Sequence, residues 1–132
     1  MNPTRHFLLL ALLAAAPLVL AEEAAPAVKN VTPDEAEKLL KEHKEVTVLD
    51  LRTSDEFAAG HIAGAKNIDF LADDFAKKIA ELDKSKPYLV HCASGGRSTR
   101  SLPQFKGQNF TNIFHLNEGF SAWAKAGKPV EK

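Results

Sequence analysis

The sequence has 132 residues, with 17 lysine and arginine residues against 17 aspartate and glutamate residues, so its formal net charge is zero. This length suits one compact domain with a sizeable core and is too short for two. The balanced charge gives no electrostatic support for a nucleic-acid or acidic-membrane partner, because both usually require a basic excess.

Residues 1–21 have the pattern of a secretory signal peptide. Arg5 supplies a positive charge, the segment from Phe7 to Leu20 is apolar, and Val19-Leu20-Ala21 fits a small-residue cleavage site. The apolar run is shorter than the roughly 20 residues that span a bilayer, and Pro17 interrupts it. We therefore expect cleavage after Ala21, a periplasmic or secreted protein, and no stable membrane span after cleavage.

The remaining chain predicts a flexible lead over residues 22–27 and a single domain over residues 28–130. Within that domain, segments typical of strands alternate with segments typical of helices. The predicted strands are mostly apolar, and they cover residues 28–31, 46–51, 65–68, 88–91 and 111–116. The predicted helices have apolar residues at helical spacing, and they cover residues 33–44, 54–59, 71–83, 97–105 and 120–126.

Two capping-box patterns mark the starts of the first two helices. Thr32 is followed by Glu35, and Thr53 is followed by Glu56. Gly60 comes after the second helix, and we expect it to end that helix in a left-handed conformation.

The alternation of strands and helices indicates an α/β fold with a mainly parallel central sheet and helices on both faces. The apolar segment 46–51 is predicted as a central strand that is buried on both faces. In such folds, ligands bind beyond the carboxyl ends of the strands. Cys92 directly follows the predicted strand 88–91, so we expect it at that edge.

The stretch from His91 to Arg100 contains the only cysteine of the sequence. Gly95 and Gly96 permit a tight turn between the strand and the helix that starts at Arg97. Backbone N–H groups converge in such a loop, and the helix N-terminus adds partial positive charge, so an anionic sulfur would be stabilised. From number alone, a lone cysteine in an exported domain is a core residue, an intermolecular link or a reactive thiol.

Three segments form a specific combined pattern through their order and spacing. They are Asp50-Leu51-Arg52 with Glu56, Gly60-His61-Ile62, Gly64-Ala65 and Asn67-Ile68; Cys92 to Arg97 with Ser98; and Leu116-Asn117-Glu118-Gly119 with Trp123, Gly127 and Pro129. Together they resemble the motifs of the single-domain rhodaneses, a sulfurtransferase family. The resemblance implies a rhodanese-like α/β domain whose loop cysteine takes sulfur from a donor such as thiosulfate and passes it to a thiophilic acceptor.

The length of the loop agrees with this chemistry. Four residues separate Cys92 from Arg97. The loop that they form is the size that fits a single persulfide sulfur, whereas the longer loops of phosphatases fit phosphate or arsenate. We expect the Cys92 thiolate to attack the outer sulfur of a small anionic donor. The resulting persulfide would pass to a thiol or cyanide-like acceptor, and no cofactor is expected.

The residues that follow Cys92 are predicted to bind the anion. Their backbone amides would stabilise both the thiolate and the persulfide, and the set comprises Ala93, Ser94, Gly95, Gly96, Arg97 and Ser98. Arg97 is expected to brace the loop and add positive charge. Arg100 either attracts the donor at the rim of the loop or is a solvated helix residue. The hydroxyl of Ser98 is interpreted as a helix cap.

Four further residues are predicted to support the site. Asp50 and Arg52 with Glu56 would fix the strand end and the neighbouring helix by ion pairing and hydrogen bonding. His61 is interpreted as structural, because a thiolate stabilised by its loop needs no base. His91 is expected to point away from the cysteine side chain. The five histidines are scattered without ligand spacing, so no metal site is predicted.

Two positions depart from the pattern of the family. Glu118-Gly119 stands where the family usually has two glycines, which predicts a bulkier or more acidic loop near the site. Pro103 lies inside a predicted helix, where it removes the hydrogen bond to Thr99. We expect it to bend or shorten that helix and to shift Arg100.

Two alternative functions remain. A non-catalytic rhodanese-like module would bind a partner or sense oxidants through Cys92. Binding alone does not require Cys92, Arg97 and two loop glycines together, whereas oxidant sensing is compatible with them. Arsenate or phosphate ester chemistry is disfavoured by the loop length.

Overall fold

The computed structural model describes residues 14–15 and 27–132. Apart from residues 14, 15 and 27, the predicted signal peptide and lead lie outside the described residues. Among the helices that are described, none has the length and apolar character needed to cross a membrane.

Twelve elements follow one another along the described chain. The strands are β1 Val28–Asn30, β2 Thr47–Asp50, β3 His61–Ile62, β4 Lys66–Asn67, β5 Tyr88–His91, β6 Ile113–His115 and β7 Val130–Glu131. The helices are α1 Pro33–Glu42, α2 Ser54–Ala59, α3 Phe75–Ala80, α4 Gly96–Gly107 and α5 Gly119–Lys125.

Five strands form a parallel sheet in the order β1-β6-β5-β2-β4. This arrangement confirms the predicted α/β fold with a mainly parallel sheet. The middle strand is β5, and β2, which the sequence predicts as central, lies beside it. The register places Asp50 opposite His91, and His115 opposite both Val90 and Asn30. The carboxyl ends of β1, β6, β5 and β2 are therefore level with one another at one edge of the sheet.

Both faces of the sheet are buried. Leu49 and Val90 belong to a cluster that includes Phe75 of α3 and Phe105 of α4. Their sequence neighbours point to the other face and join residues of α1 and α5, in a cluster that includes Val48, Leu89, Ala36 and Trp123. This alternation follows from the period of two along a strand, and it holds β5 rigidly under the loop that starts at Cys92.

Both predicted capping boxes are confirmed. The backbone N–H of Glu35 donates to Oγ1 of Thr32 over 3.2 Å, and that of Glu56 donates to Oγ1 of Thr53 over 3.3 Å. Each glutamate also accepts from the backbone N–H of its threonine. These contacts span three residues, which is why the sequence alone predicts them.

Two helix predictions need correction. The helix predicted over residues 71–83 covers only Phe75–Ala80, and Leu71 is 58% exposed. The carboxylate of Asp69 accepts from the backbone N–H of Leu71, a local turn that competes with helix formation. Pro103 does not shorten its helix, since α4 continues to Gly107.

Two further features of the fold differ from the expectations. Gly60 ends α2 with φ 154° and ψ 139°, rather than in the left-handed helical conformation that was predicted. Strands β3 and β7 form a separate antiparallel pair in which His61 lies opposite Glu131. Each of these strands has only two residues, which is too short for an alternation of apolar and polar residues to be recognised.

Candidate active site

Cys92 follows the last residue of the middle strand, and its side chain lies inside a loop that leads into α4. The residue is 1% exposed. The backbone N–H groups of Gly95 and Ser98 donate to Sγ over 3.1 and 3.3 Å, and the Ser98 hydroxyl oxygen lies 3.3 Å from Sγ. The sulfur is therefore surrounded by hydrogen-bond donors, as expected for a site that stabilises an anion.

The conformation of the loop is fixed from the side of α5. The backbone N–H groups of Phe120 and Ser121 donate to the carbonyl oxygens of Cys92 and Ala93, each over 2.9 Å. Because these carbonyls are directed away from the sulfur, the amides that follow them can turn towards it.

Two glycines allow this close contact between loop and helix. Gly95 has φ 104°, and a Cβ there would collide with the carbonyl oxygen of Asn117. Gly119 has φ 76°, and a Cβ there would collide with the carbonyl oxygen of Ala93 and lie 2.8 Å from the backbone nitrogen of Ser94. Both positions therefore require glycine for conformation and for space.

The environment lowers the pKa of Cys92. Burial acts to raise the pKa of this thiol, but hydrogen bonds from the Ser98 hydroxyl and from the backbone N–H groups of Ser98, Gly95 and Ser94 outweigh it. The result is a pKa below the ordinary value of a thiol. A lower pKa increases the fraction of Cys92 that is present as the thiolate, which is the nucleophilic form.

The Ser98 hydroxyl connects Cys92 to two residues that the sequence did not identify. Its oxygen lies 2.7 Å from Nε2 of His115, and Nδ1 of His115 lies 3.2 Å from the side-chain oxygen of Asn30. The same hydroxyl lies 3.2 Å from the carbonyl oxygen of Gly95. His115 ends β6 and Asn30 ends β1, so their positions at the ends of parallel strands were the available signal.

Glu56 pairs with Arg97 instead of Arg52. Its carboxylate accepts from both terminal nitrogens of the Arg97 guanidinium, over 2.8 and 2.9 Å. The hydrogen bonds from Arg97 lower the pKa of Glu56 to about 2, and Glu56 in turn raises the pKa of Arg97. The cation that was expected to brace the loop is thus held by a carboxylate of α2.

Asp50 and Arg52 form a separate buried pair below the site. The guanidinium donates to both carboxylate oxygens, over distances from 2.7 to 3.2 Å, and also to the carbonyl oxygen of Gly60. Its carbon lies 4.0 Å above the centre of the Phe120 ring. The pair therefore connects the end of β2 to the end of α2 and to the helix that holds the loop.

The two neighbouring histidines take different positions. Nδ1 of His91 donates to the carbonyl oxygen of Cys92 over 3.0 Å, so the imidazole faces away from the sulfur. Burial lowers the pKa of His91. His61 stacks on Phe57 with ring centres 3.8 Å apart and contacts Glu131, which places it at the pairing of β3 with β7.

The outer surface of the loop is formed by exposed residues. Ser94, Gly96 and Arg100 are exposed, and the Arg100 guanidinium carbon lies 5.3 Å from the ring centre of Phe70. Glu118 is also exposed and lies at the residue before α5. Within residues 14–15 and 27–132, no cluster of three or more potential ligands for a metal ion is found.

Comparison with known proteins gives one consistent result. The model of the Rhodanese-like domain family matches residues 32–126. The thiosulfate sulfurtransferase GlpE of Pseudomonas putida is 35% identical over 103 residues, covering 78% of this chain and 90% of that protein. The chloroplastic thiosulfate sulfurtransferase 16 of Arabidopsis thaliana is 33% identical over 93 residues, covering 63% of this chain and 78% of that protein.

Solved structures agree with the sequence comparisons. A rhodanese-related protein from Thermoplasma volcanium has a TM-score of 0.68 at 26% identity, covering 78% of this chain and 97% of that one. A rhodanese-like domain protein from Staphylococcus aureus has a TM-score of 0.64 at 30% identity, covering 72% of this chain and 90% of that one. Because the family model spans residues 32–126, more than half of the chain, the protein belongs to the rhodanese-like domain family.

Proposed function

We propose that this rhodanese-type sulfurtransferase carries the transferred sulfur as a persulfide on Cys92. The observation that carries the proposal is the convergence of the Gly95 and Ser98 backbone N–H groups on Sγ. Fixed donors of this kind stabilise a negatively charged sulfur without needing to reorganise during the reaction.

In the first half of the proposed reaction, the Cys92 thiolate attacks the outer sulfur of thiosulfate. A new bond forms between Sγ and that sulfur, the S–S bond of the donor breaks, and sulfite leaves with the bonding electrons. The outer sulfur of the persulfide then carries the negative charge, which the loop amides stabilise. Thiosulfate is the preferred candidate because the matched proteins of Pseudomonas putida and Arabidopsis thaliana are named for it.

In the second half, a thiol or a cyanide-like acceptor attacks the outer sulfur. The S–S bond of the persulfide breaks, and Cys92 leaves as the thiolate that begins the next cycle. Its lowered pKa supports this step as well, since a sulfur anion of lower pKa is a better leaving group.

The donor is proposed to be recognised by charge at the rim of the loop. The cation of Arg97 is largely compensated by Glu56. Arg100 is exposed, and among residues 14–15 and 27–132 it has no carboxylate within salt-bridge distance. We therefore assign Arg100 the role of attracting a dianionic donor.

Export is part of the proposal. Residues 1–21 have the three features of a signal peptide, and the mature protein would start at Glu22 in the periplasm or outside the cell. N-terminal sequencing of the protein isolated from its host, together with cell fractionation, tests this directly. An intact N-terminus in the cytoplasmic fraction would contradict it.

The sulfur-transfer proposal is tested by mixing the reduced protein with thiosulfate and measuring its intact mass and the sulfite released. We expect the mass of one sulfur atom on Cys92 and an equal amount of sulfite, and loss of the extra mass when cyanide is added. Cys92→Ser should remain folded and gain no sulfur. A wild-type protein that takes up no sulfur yet readily forms a sulfenic acid would instead favour oxidant sensing.

A further inference from the structure

Four side chains form a continuous line from the reactive sulfur to the edge strand of the sheet. Cys92 Sγ lies 3.3 Å from Ser98 Oγ, which lies 2.7 Å from His115 Nε2, and His115 Nδ1 lies 3.2 Å from the oxygen of Asn30. Ser98 is fully buried and His115 is 2% exposed. Buried polar groups must be satisfied by one another, so the hydrogens in this line are strongly constrained.

The single hydroxyl hydrogen of Ser98 determines which of two hydrogen-bond arrangements the four side chains adopt. Because Nδ1 of His115 faces a carbonyl-type oxygen on Asn30, that nitrogen carries a hydrogen. When Nε2 is unprotonated, it accepts the Ser98 hydrogen, and the Cys92 thiol can donate to Oγ. When Nε2 is protonated, it donates to Oγ, and the Ser98 hydrogen donates to the Cys92 thiolate, because a charged sulfur is a stronger acceptor than the neutral carbonyl oxygen of Gly95, 3.2 Å from Oγ. Both arrangements satisfy every member.

We propose that His115 takes up the Cys92 proton through the Ser98 hydroxyl, and that Asn30 holds the imidazole in the tautomer that can accept it. The S–H bond breaks as its proton moves to Oγ, and the hydroxyl proton of Ser98 moves to Nε2. Two protons shift, no electrons leave, and the total charge of the pair stays constant. The inference deepens the proposed function, since the thiolate produced is the nucleophile.

The surroundings favour this pair over isolated charges. Burial lowers the pKa of His115, so an isolated imidazolium is disfavoured there, and a proton taken up at Nε2 needs the negative charge of the Cys92 thiolate beside it. His91 itself donates Nδ1–H to a carbonyl oxygen and is kept neutral by burial.

Of the charged groups near the line, the buried and half-buried ones are already paired, and Arg100 and Glu118 are exposed to solvent. On the neighbouring strand β2, the carboxylate of Asp50 is bound by Arg52, and beside the loop the guanidinium of Arg97 is bound by Glu56. The thiolate is therefore the anion that an imidazolium at His115 would neutralise.

The test is the pH dependence of Cys92 alkylation by iodoacetamide. The thiolate–imidazolium pair contains as many protons as the thiol–imidazole pair, so the wild-type rate should show a plateau over which it does not change with pH. In His115→Gln the side-chain amide still reaches the hydroxyl but cannot accept a proton. We expect that variant to lose the plateau and to react about tenfold more slowly near neutrality, equivalent to one unit of thiol pKa.

Two matched variants make the result specific. His43→Gln changes an exposed histidine at the end of α1 and should keep the plateau. Asn30→Asp places a carboxylate beside Nδ1 of His115 at an exposed strand end. It should stabilise the imidazolium and increase the alkylation rate on the plateau. Ser98→Ala should lose the plateau as His115→Gln does.

Nitrogen NMR of the His115 ring supplies a second readout. We expect a protonated Nε2 in the wild-type protein where the thiolate is present, and an unprotonated Nε2 at the same pH in Cys92→Ala. An unchanged pH profile in His115→Gln, or a neutral His115 beside the thiolate, would overturn the proposal. Neither measurement uses a sulfur donor, so a protein with the plateau but without sulfur uptake would count against the proposed function alone.

Discussion

The guanidinium of Arg97 and the carboxylate of Glu56 form a two-pronged ion pair between α4 and α2, with distances of 2.8 and 2.9 Å. The two residues are 41 positions apart in the sequence. The pair joins the first turn of the helix after Cys92 to a helix that packs at the end of β2. Its consequence is that the positive charge beside the loop is compensated before any donor arrives.

Removing the carboxylate should therefore increase attraction of anions to Cys92. In Glu56→Gln, we expect the alkylation rate with anionic iodoacetate to rise relative to that with neutral iodoacetamide by roughly fivefold, the factor that corresponds to about 1 kcal/mol of Coulomb attraction. Asp55→Asn is the matched control, because it removes an exposed negative charge from the same helix without touching Arg97. An equal change of the ratio in both variants would refute a specific effect of the pair.

The same pair predicts a pH-dependent stability. The pKa of Glu56 is lowered from 4.5 to about 2 in the folded protein. A lowered pKa means that the stabilisation is fully present above pH 4.5 and is lost as the pH falls from 4.5 towards 2. We expect about 1 kcal/mol, because the carboxylate is partly exposed and solvent weakens the pair. Urea unfolding of wild type and Glu56→Gln should give free energies that converge over this window.

These contacts show where sequence reasoning works and where it stops. The capping boxes at Thr32 and Thr53 are local, so residue order alone predicts them. The position of Cys92 at the end of a middle strand follows from the alternation of strands and helices. The partner of Glu56 does not, because the choice between Arg52 and Arg97 depends on how two helices pack. The sequence motif groups Glu56 with its near neighbours, and the structure separates them.

The hydrogen-bond line from Ser98 to His115 and Asn30 does not follow from the sequence motif for a related reason. Neither His115 nor Asn30 lies in the motif around Cys92; His115 is brought near it because β6 pairs with β5, and Asn30 because β1 pairs with β6. Both residues end strands of the parallel sheet, and this position at the carboxyl edge is the sequence signal that indicates them. The turn at Asp69 is local, but the helical spacing of Leu71 with Phe75 and Ile79 outweighs it in the sequence pattern, although the structure leaves Leu71 exposed.

The contact of Gly119 with the loop predicts a severe effect of a single methyl group. Gly119→Ala would place Cβ against the carbonyl of Ala93, and moving that carbonyl displaces the amides that follow Cys92. We expect a loss of about 3 kcal/mol in the free energy of unfolding and at least tenfold slower alkylation, since a core clash typically costs about 1–3 kcal/mol and strain at positive φ adds to it.

Gly64→Ala is the control that separates strain from collision. Gly64 has the same φ of 76°, yet no atom outside its chain neighbours lies within 4 Å of the position that a methyl group would take. We expect only the conformational cost of about 1–2 kcal/mol and an unchanged alkylation rate. Equal behaviour of the two variants in urea unfolding and alkylation would show that the loop does not depend on the contact with Gly119.

The buried pair of Asp50 and Arg52 predicts a large effect on stability. Asp50 is fully buried and Arg52 is 5% exposed, so Asp50→Asn leaves an uncompensated buried cation. We expect a loss of about 3–5 kcal/mol in the free energy of unfolding, measured by urea denaturation. Lys41→Ala, which breaks the exposed contact with Glu37, should change stability by less than about 1 kcal/mol. A small loss in Asp50→Asn would mean that the pair contributes little to the fold.

Pro103 predicts that a substitution can stabilise the protein without altering the site. Helix α4 runs through this exposed proline, which leaves the carbonyl of Thr99 without its helical donor. Pro103→Ala restores an N–H at that position. We expect a gain of about 1–2 kcal/mol, since the helical penalty of about 3 kcal/mol is partly offset by the greater freedom of alanine in the unfolded chain.

The loop amides of Gly95 and Ser98 precede Pro103 in the chain, and their contacts with Sγ do not involve it. The alkylation rate of Pro103→Ala should therefore equal that of the wild-type protein. Lys106→Ala, an exposed change in the last turn of α4, serves as the control for helix propensity and should shift the urea midpoint only slightly. If Pro103→Ala alters the ratio of iodoacetate to iodoacetamide rates, the proline sets the position of Arg100 and thereby the charge at the rim.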